Sequence, residues 1–171
     1  TRSFSYKITE LHELQQAISL YAERACEKLR RQNGLCADIW VYLESFDPKV
    51  GYLNRQNFIK LPHMSNDTRL IARLAASALP AIFKQGLRYK KCGIGLMDVR
   101  TCKYEQFDFF SQPQPDKTFE LMSVMDNINR RYGKYSVQLG ATGMQARWNM
   151  SRNYLSPRYT TRWQDLPKIR C

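Results

Sequence analysis

The chain's 171 residues can hold one well-buried domain with an appendage, or two small domains. Its 27 Lys and Arg against 15 Asp and Glu give a formal net charge of +12, which favours a polyanionic partner. No apolar run approaches a transmembrane span and the start carries no secretory signal, so a membrane or exported protein is not expected.

Thr1 stands where a gene product would begin with Met, as expected of a fragment of a longer protein. Phe4, Tyr6 and Ile8 alternate with Ser3, Ser5 and Lys7, the period-two pattern of a strand with one buried face. Thr9 is placed to cap a helix carrying Leu11, Leu14, Ile18, Tyr21, Ala25 and Leu29 at three- and four-residue steps. Lys28, Arg30 and Arg31 crowd its last turn, where cations suit the helix dipole, and Asn33-Gly34 ends it. A second strand is expected over Asp38 to Ser45 with Ile39, Val41 and Leu43 inward. Asp47-Pro48 and Gly51 break the chain, and a third strand is expected over Asn57 to Leu61. Asp67 then starts a second helix with Leu70, Ile71, Leu74, Ala78 and Leu79 on one side. Pro80 interrupts it, yet Ile82 and Phe83 keep the apolar period, so a kink is expected and not a stop. Cys92 to Val99 is the fourth strand. The order β-α-β-β-α-β predicts an α+β domain, a mostly antiparallel four-stranded sheet with both helices on one face.

The other sheet face is small and basic. Ser3, Ser5 and Lys7 point to it from the first strand, Lys60 from the third, and Lys91, Gly93 and Gly95 from the last. Arg2 opens the first strand, and Arg88 and Lys90 lead into the last. Small residues let backbone amides approach a phosphate chain, and cations neutralise it. Arg2, Ser3, Ser5, Lys7, Lys60, Arg88, Lys90, Lys91 and Gly93 are therefore candidate DNA contacts. A merely solvated face is the alternative, since edge lysines also block sheet aggregation.

Beyond the fourth strand comes Gln106-Phe107-Asp108-Phe109-Phe110, then Ser111-Gln112-Pro113-Gln114-Pro115, which cannot be helix interior. Aromatic anchors on such a segment suit a docking peptide that fills a partner's apolar pocket. A loop whose aromatics fold back on the domain is the alternative. Asp116 or Thr118 can cap a further helix with Leu121, Met125, Ile128 and Tyr132 inward and Gly133 at its end. Ser136 to Leu139 fits a short strand. From Arg147 onward, Arg147, Arg152, Arg158, Arg162, Lys168 and Arg170 face the single acid Asp165, interleaved with Trp148, Tyr154, Tyr159 and Trp163. That alternation suits single-stranded DNA, and equally a protein interface. Packing of these aromatics back onto the first domain is a third alternative.

Cys26, Cys36, Cys92, Cys102 and Cys171 are odd in number, widely spaced and free of any CxxC pair. With only His12 and His63 beside them no zinc site is expected, and packed, reduced thiols of a cytosolic protein are. Glu10, Glu13, Glu23 and Asp67 lie on helix faces or at caps and Asp98 stands alone, so the clustered carboxylates of two-metal catalysis are not expected.

The stretches FSYKITEL (Phe4 to Leu11), ACEKLRRQ (Ala25 to Gln32), YKKCGIGLMDV (Tyr89 to Val99) and LSPRYTTRW (Leu155 to Trp163) carry a family likeness. They resemble the C-terminal part of UmuC-type proteins, the polymerase V branch of the Y-family translesion DNA polymerases. The resemblance covers essentially the whole chain. It implies a little-finger domain gripping DNA without sequence preference over residues 1–103, a linker over 104–117, and a UmuC-type extension over 118–171. Gln-apolar-Asp-apolar-Phe at 106–110 resembles the motif by which such proteins hold the sliding clamp. Gln106 would then bond at the pocket rim and Phe109 and Phe110 enter its cleft, although relatives commonly carry Leu where Phe109 stands. The family also implies a UmuD′-like accessory dimer held by the extension, RecA as a further partner, and a nucleoid-associated place in the cytoplasm. Its metal-binding carboxylates and Mg²⁺ belong to an N-terminal palm domain outside these residues, so the fragment is expected to be non-catalytic alone, without cofactor.

Two other readings stay open. A βαββαβ domain can bind RNA through aromatic-rich motifs on its two central strands, but neither Cys92–Val99 nor Phe4–Ile8 fits them well. A free-standing adaptor that only tethers partners to the clamp is the other. Sequence upstream of Thr1 distinguishes it from a polymerase.

Overall fold

A computed structural model describes residues 2–47, 51–101, 115–144, 148 and 156–167. Its elements are β1 (Arg2–Ile8), α1 (Leu11–Arg31), β2 (Gly34–Asp47), β3 (Gly51–Ser65), α2 (Thr68–Ile82), β4 (Tyr89–Thr101) and α3 (Asp116–Tyr132), followed by short 3₁₀ turns at Gly140–Thr142 and Trp163–Asp165. The strands form one sheet in the order β1-β4-β2-β3, and every neighbouring pair is antiparallel. The α+β architecture is the expected one. Each βαβ crossover joins two parallel strands with a third slotted between them, so β4 and β2 are central.

Alternation along β2 puts Ile39, Val41 and Leu43 on the helix side, level with Leu96, Ile94 and Cys92 of β4. Leu14, Ile18 and Tyr21 of α1 and Ile71, Ala75 and Leu79 of α2 close the core over them. Pro80 lies within α2, which continues to Ile82 as the apolar period implies. Proline has no N–H to offer the Ala76 carbonyl four residues back. Gln15 Nε2 on α1 donates to that carbonyl at 3.4 Å, so the neighbouring helix meets an acceptor that the proline leaves open. Asp67 caps α2 as expected, its Oδ1 accepting the Arg69 amide at 2.8 Å.

Several local expectations are corrected. Thr9 does not cap α1, whose N-cap is Glu10 without a side-chain bond. The second and third strands run well past Asp38–Ser45 and Asn57–Leu61, because they form one long hairpin whose ladder satisfies the backbone even where Asn54, Arg55 and Gln56 are exposed. Ser136 to Leu139 is no strand. Asn129 holds that turn instead, donating to the Val137 carbonyl and accepting its amide, each at 2.9 Å. The inward line of α3 is Thr118, Met122 and Asp126, whereas Leu121 and Tyr132 are exposed.

α3 and the residues after it dock on α1. Arg30 forks onto Asp126 of α3 through Nε and Nη2, both at 2.7 Å, while its Nη1 donates to the Asn66 carbonyl and Thr68 Oγ1 at 2.8 Å. Glu23 Oε1 accepts the Leu139 amide at 2.6 Å. Trp148 is 1% exposed, packed edge-on against Phe4 and Tyr21, and its carbonyl accepts the Ser5 amide of the edge strand β1. For this one aromatic, packing back onto the first domain is the outcome. Tyr159 and Trp163 are exposed, whereas Arg147, Arg152, Tyr154, Lys168 and Arg170 lie outside the described residues.

Two expected results follow from this packing. Burial pushes the Glu23 carboxyl up from its ordinary value of 4.5, outweighing the Leu139 amide and the Arg24 and Arg30 charges that pull it down. A raised folded-state pKa means tighter proton binding when folded. The contribution to stability is then full below the unfolded value and is lost as pH rises through the folded one. Glu23→Gln keeps an oxygen for the Leu139 amide and cannot ionise. Urea melts from about pH 4 to 7 should therefore show a smaller loss of stability with rising pH in the variant than in the parent. Cys26, Cys36 and Cys92 are buried and free, and burial raises the first two to about 12 and Cys92 likewise upward. Since the thiolate is the nucleophile, these three should label with a thiol reagent only when the protein unfolds, as mass spectrometry of native and denatured samples would show.

Candidate nucleic-acid interface

The sheet face away from the helices is assembled by the second phase of each strand. β2 contributes Asp38, Trp40, Tyr42, Glu44 and Phe46, opposite Lys60, Phe58, Gln56, Asn54 and Tyr52 of β3. On the other side of β2, Met97, Gly95, Gly93 and Lys91 of β4 stand opposite Asp38, Trp40, Tyr42 and Glu44. Ser3 of β1 pairs with Lys91, at the far edge. One face thus collects Ser3, Lys60, Lys91 and Gly93, and strand alternation adds Ser5 and Lys7. Arg2 pairs with Cys92 and so holds a different register position from Ser3.

These candidates are not equivalent. Lys7, Lys60, Arg88 and Lys90 are exposed. Lys91 is half-buried and sits 3.7 Å from Glu44, so part of its charge is already answered within the face. Lys90 is the extra residue of a β-bulge, since Tyr89 pairs with Ser45 and Lys91 with Glu44. The bulge lifts Lys90 out of the ladder and brings its Nζ to 6.0 Å from the Tyr52 ring centre. Gly93 is buried opposite Tyr42. Asp98 is held by Arg100, which grips both its oxygens at 2.9 and 3.1 Å. Among the described residues no three His, Cys, Asp or Glu side chains converge on a point. Gln106, Phe107, Asp108, Phe109 and Phe110 lie outside the described residues.

The face also carries what the small-and-basic reading overlooked. Trp40 lies near-parallel to Tyr42 at 4.8 Å and to Phe58 at 6.4 Å between ring centres, and Phe46 meets Tyr52 edge-on at 5.1 Å. Trp40 Nε1 donates to Gln56 Oε1 at 3.1 Å. A Cβ on Gly95 would fall 2.9 Å from the Trp40 ring, so glycine is what lets the indole settle onto the sheet. The signal was in β2, where Trp40, Tyr42 and Phe46 alternate with Ile39, Val41 and Leu43. Both phases are apolar there, and only the aliphatic one was read.

The impB/mucB/samB family C-terminal domain matches residues 1–109, which span the whole sheet. The chain belongs to the impB/mucB/samB family. A domain of unknown function, DUF4113, matches residues 120–169 of this family member. Protein UmuC of Salmonella typhimurium is 34% identical over 99% of the chain, Protein SamB of Salmonella typhimurium 36% over 98%, and Protein MucB of Escherichia coli 37% over 98%. The chain spans only 40–41% of the length of these impB/mucB/samB relatives. No helix among the described residues is long and apolar enough to cross a membrane.

Proposed function

We propose that this chain is the DNA-gripping C-terminal part of a UmuC-like, error-prone translesion polymerase that acts in SOS mutagenesis and DNA damage tolerance. The observation that carries the reading is similarity to UmuC, SamB and MucB along 98–99% of the chain, in an architecture that sets a sheet face with exposed Lys7, Lys60 and Lys90 apart from the helices. In this reading the little finger spans residues 1–103, the linker 104–117 carries a clamp-binding peptide at Gln106–Phe110, and the extension 118–171 meets a UmuD′-like dimer, with RecA a further partner of the chain. Exposed Trp163 and Tyr159 beside Arg158 and Arg162 support a protein contact there, since Trp, Tyr and Arg are the usual interface anchors. The fragment has no polymerase activity alone, takes no cofactor and works in the cytoplasm on the nucleoid.

The deciding experiment is a duplex-binding titration against salt. Neutralising about four phosphates predicts a roughly hundredfold loss of affinity between 50 and 200 mM salt, equal for unrelated sequences. A flat salt dependence, or strong preference for one sequence, would overturn the backbone-grip reading. Primer extension by the purified fragment, abolished by a point change inside it, would overturn the non-catalytic one.

A further inference from the structure

We infer that the aromatic cluster on the open sheet face is a stacking platform for unpaired DNA bases, centred on Phe58 and Tyr52 of the edge strand β3. This rests on the reading of that face as DNA-binding and deepens it, from a grip on phosphates to a hold on exposed bases.

The geometry is specific. On its open side β3 carries Tyr52, Asn54, Gln56, Phe58 and Lys60 in succession, because alternate residues of a strand share a face. Phe58 is 58% exposed and Tyr52 is 68% exposed, although both stand beside other rings that could have buried them. The two lie six residues apart, roughly 20 Å along the strand, with two amide side chains between them and a cation beyond each end. Lys60 follows Phe58 by two residues, and Lys90 reaches over Tyr52. Rings offer any base a π-face without regard to its identity, amides can meet base edges, and lysines neutralise the backbone that joins the bases. Trp40 fixes the floor, held flat by Gly95 and by its bond to Gln56.

Charge chooses the occupant. Exposed Lys7, Lys60 and Lys90 share the face, and one of its two acids, Glu44, is occupied by Lys91. A second copy of the chain would bring like charges together across the patch, and a purely apolar partner would leave the lysines unanswered. Single-stranded DNA supplies both the flat apolar surfaces and the negative charge. A duplex keeps its bases stacked on one another, so it can use the lysines and not the rings.

The test titrates the intact chain with a fluorescent oligothymidylate strand and with a duplex of the same length, at two salt concentrations. The Tyr52→Leu/Phe58→Leu double variant should bind the single strand roughly ten- to a hundredfold more weakly, as expected for two lost stacking contacts. Its duplex affinity should stay within about twofold and its salt slopes should not change, because no phosphate contact is removed. Phe58→Trp with Tyr52→Phe should retain single-strand binding, and it keeps the test decisive if the leucine variant melts early. Equal single-strand affinity in parent and leucine variant would overturn the stacking platform while leaving the backbone grip intact. Binding of neither DNA by the parent would overturn both.

Discussion

Arg30→Ala is expected to destabilise the protein by about 3–5 kcal/mol, the cost of removing one partner from a buried ion pair. Arg30 and Asp126 are 9% and 14% exposed at their side chains, so neither charge can turn to water once the other is gone. The loss goes beyond one pair, because the same guanidinium serves the Asn66 carbonyl and Thr68 Oγ1 where β3 passes into α2. That junction is already polar inside: Asn66 Nδ2 bonds the Gly34 carbonyl, Ser65 Oγ accepts the Asp67 amide, and the Cys36 thiol donates to the Ser65 carbonyl. Arg30→Lys should recover only a fraction, since a single ammonium cannot reproduce a planar fork that meets two carboxylate oxygens and two further acceptors. Replacing both charges, as in Arg30→Met/Asp126→Leu, should cost far less than Arg30→Ala alone, because no charge is left stranded. Urea melts of the single and double variants check this, and similar losses in Arg30→Ala and in the double variant would contradict it. Hydrogen exchange in α3 should rise in Arg30→Ala before exchange in β2 does, because α3 then loses a tether to α1.

On the proposed reading of Gln106–Phe110 as a clamp-binding peptide, Phe109→Ala/Phe110→Ala is expected to abolish binding to the sliding clamp and to leave folding stability unchanged. A peptide of this size binds in the micromolar range, about −8 kcal/mol, and two buried rings can supply several kcal/mol of it. Losing them leaves affinity too weak for capture. Core phenylalanines behave in the opposite way and lose about 3–5 kcal/mol of stability each when cut to Ala. Thermal melts and clamp pull-downs on the same variant separate the two cases. A large drop in melting temperature with clamp capture intact would identify these rings as core and the motif as coincidence.

Much of the domain was legible because it is local. The alternation of Phe4 and Ile8, the three-four spacing from Leu14 to Leu29, and Asp67 ahead of an apolar helix each state their structure within a few residues. Strand order is not local. Nothing near Cys92 announces that β4 will lie between β1 and β2; of the two strands on which the RNA-binding alternative rests, Cys92–Val99 is central, whereas Phe4–Ile8 is an edge and β2 takes the other central place. The same limit hid Arg30–Asp126, which joins residues far apart in sequence, and the seat of Trp148 against Phe4 and Tyr21. On α3 the apolar line through Leu121, Met125, Ile128 and Tyr132 looked like the inward one. The polar anchors Thr118 and Asp126 decide otherwise, because Arg69 and Arg30 wait for them on the domain. The candidate site was half visible: its lysines were read from alternation, whereas its rings hid in the second phase of a strand apolar on both sides.

The slot that β4 occupies has a bearing on how the chain comes to be folded at all. Until the last strand of the domain leaves the ribosome, β1 has no partner and β2 has none on the side away from β3. The aliphatic side of β2 can meet the two helices by then, but the sheet cannot close. Such non-local pairing slows folding and prolongs the exposure of strand edges. A nascent chain stopped just after α2 would therefore carry two open seams, and it should be a chaperone client and aggregate readily, whereas one stopped after Thr101 would not.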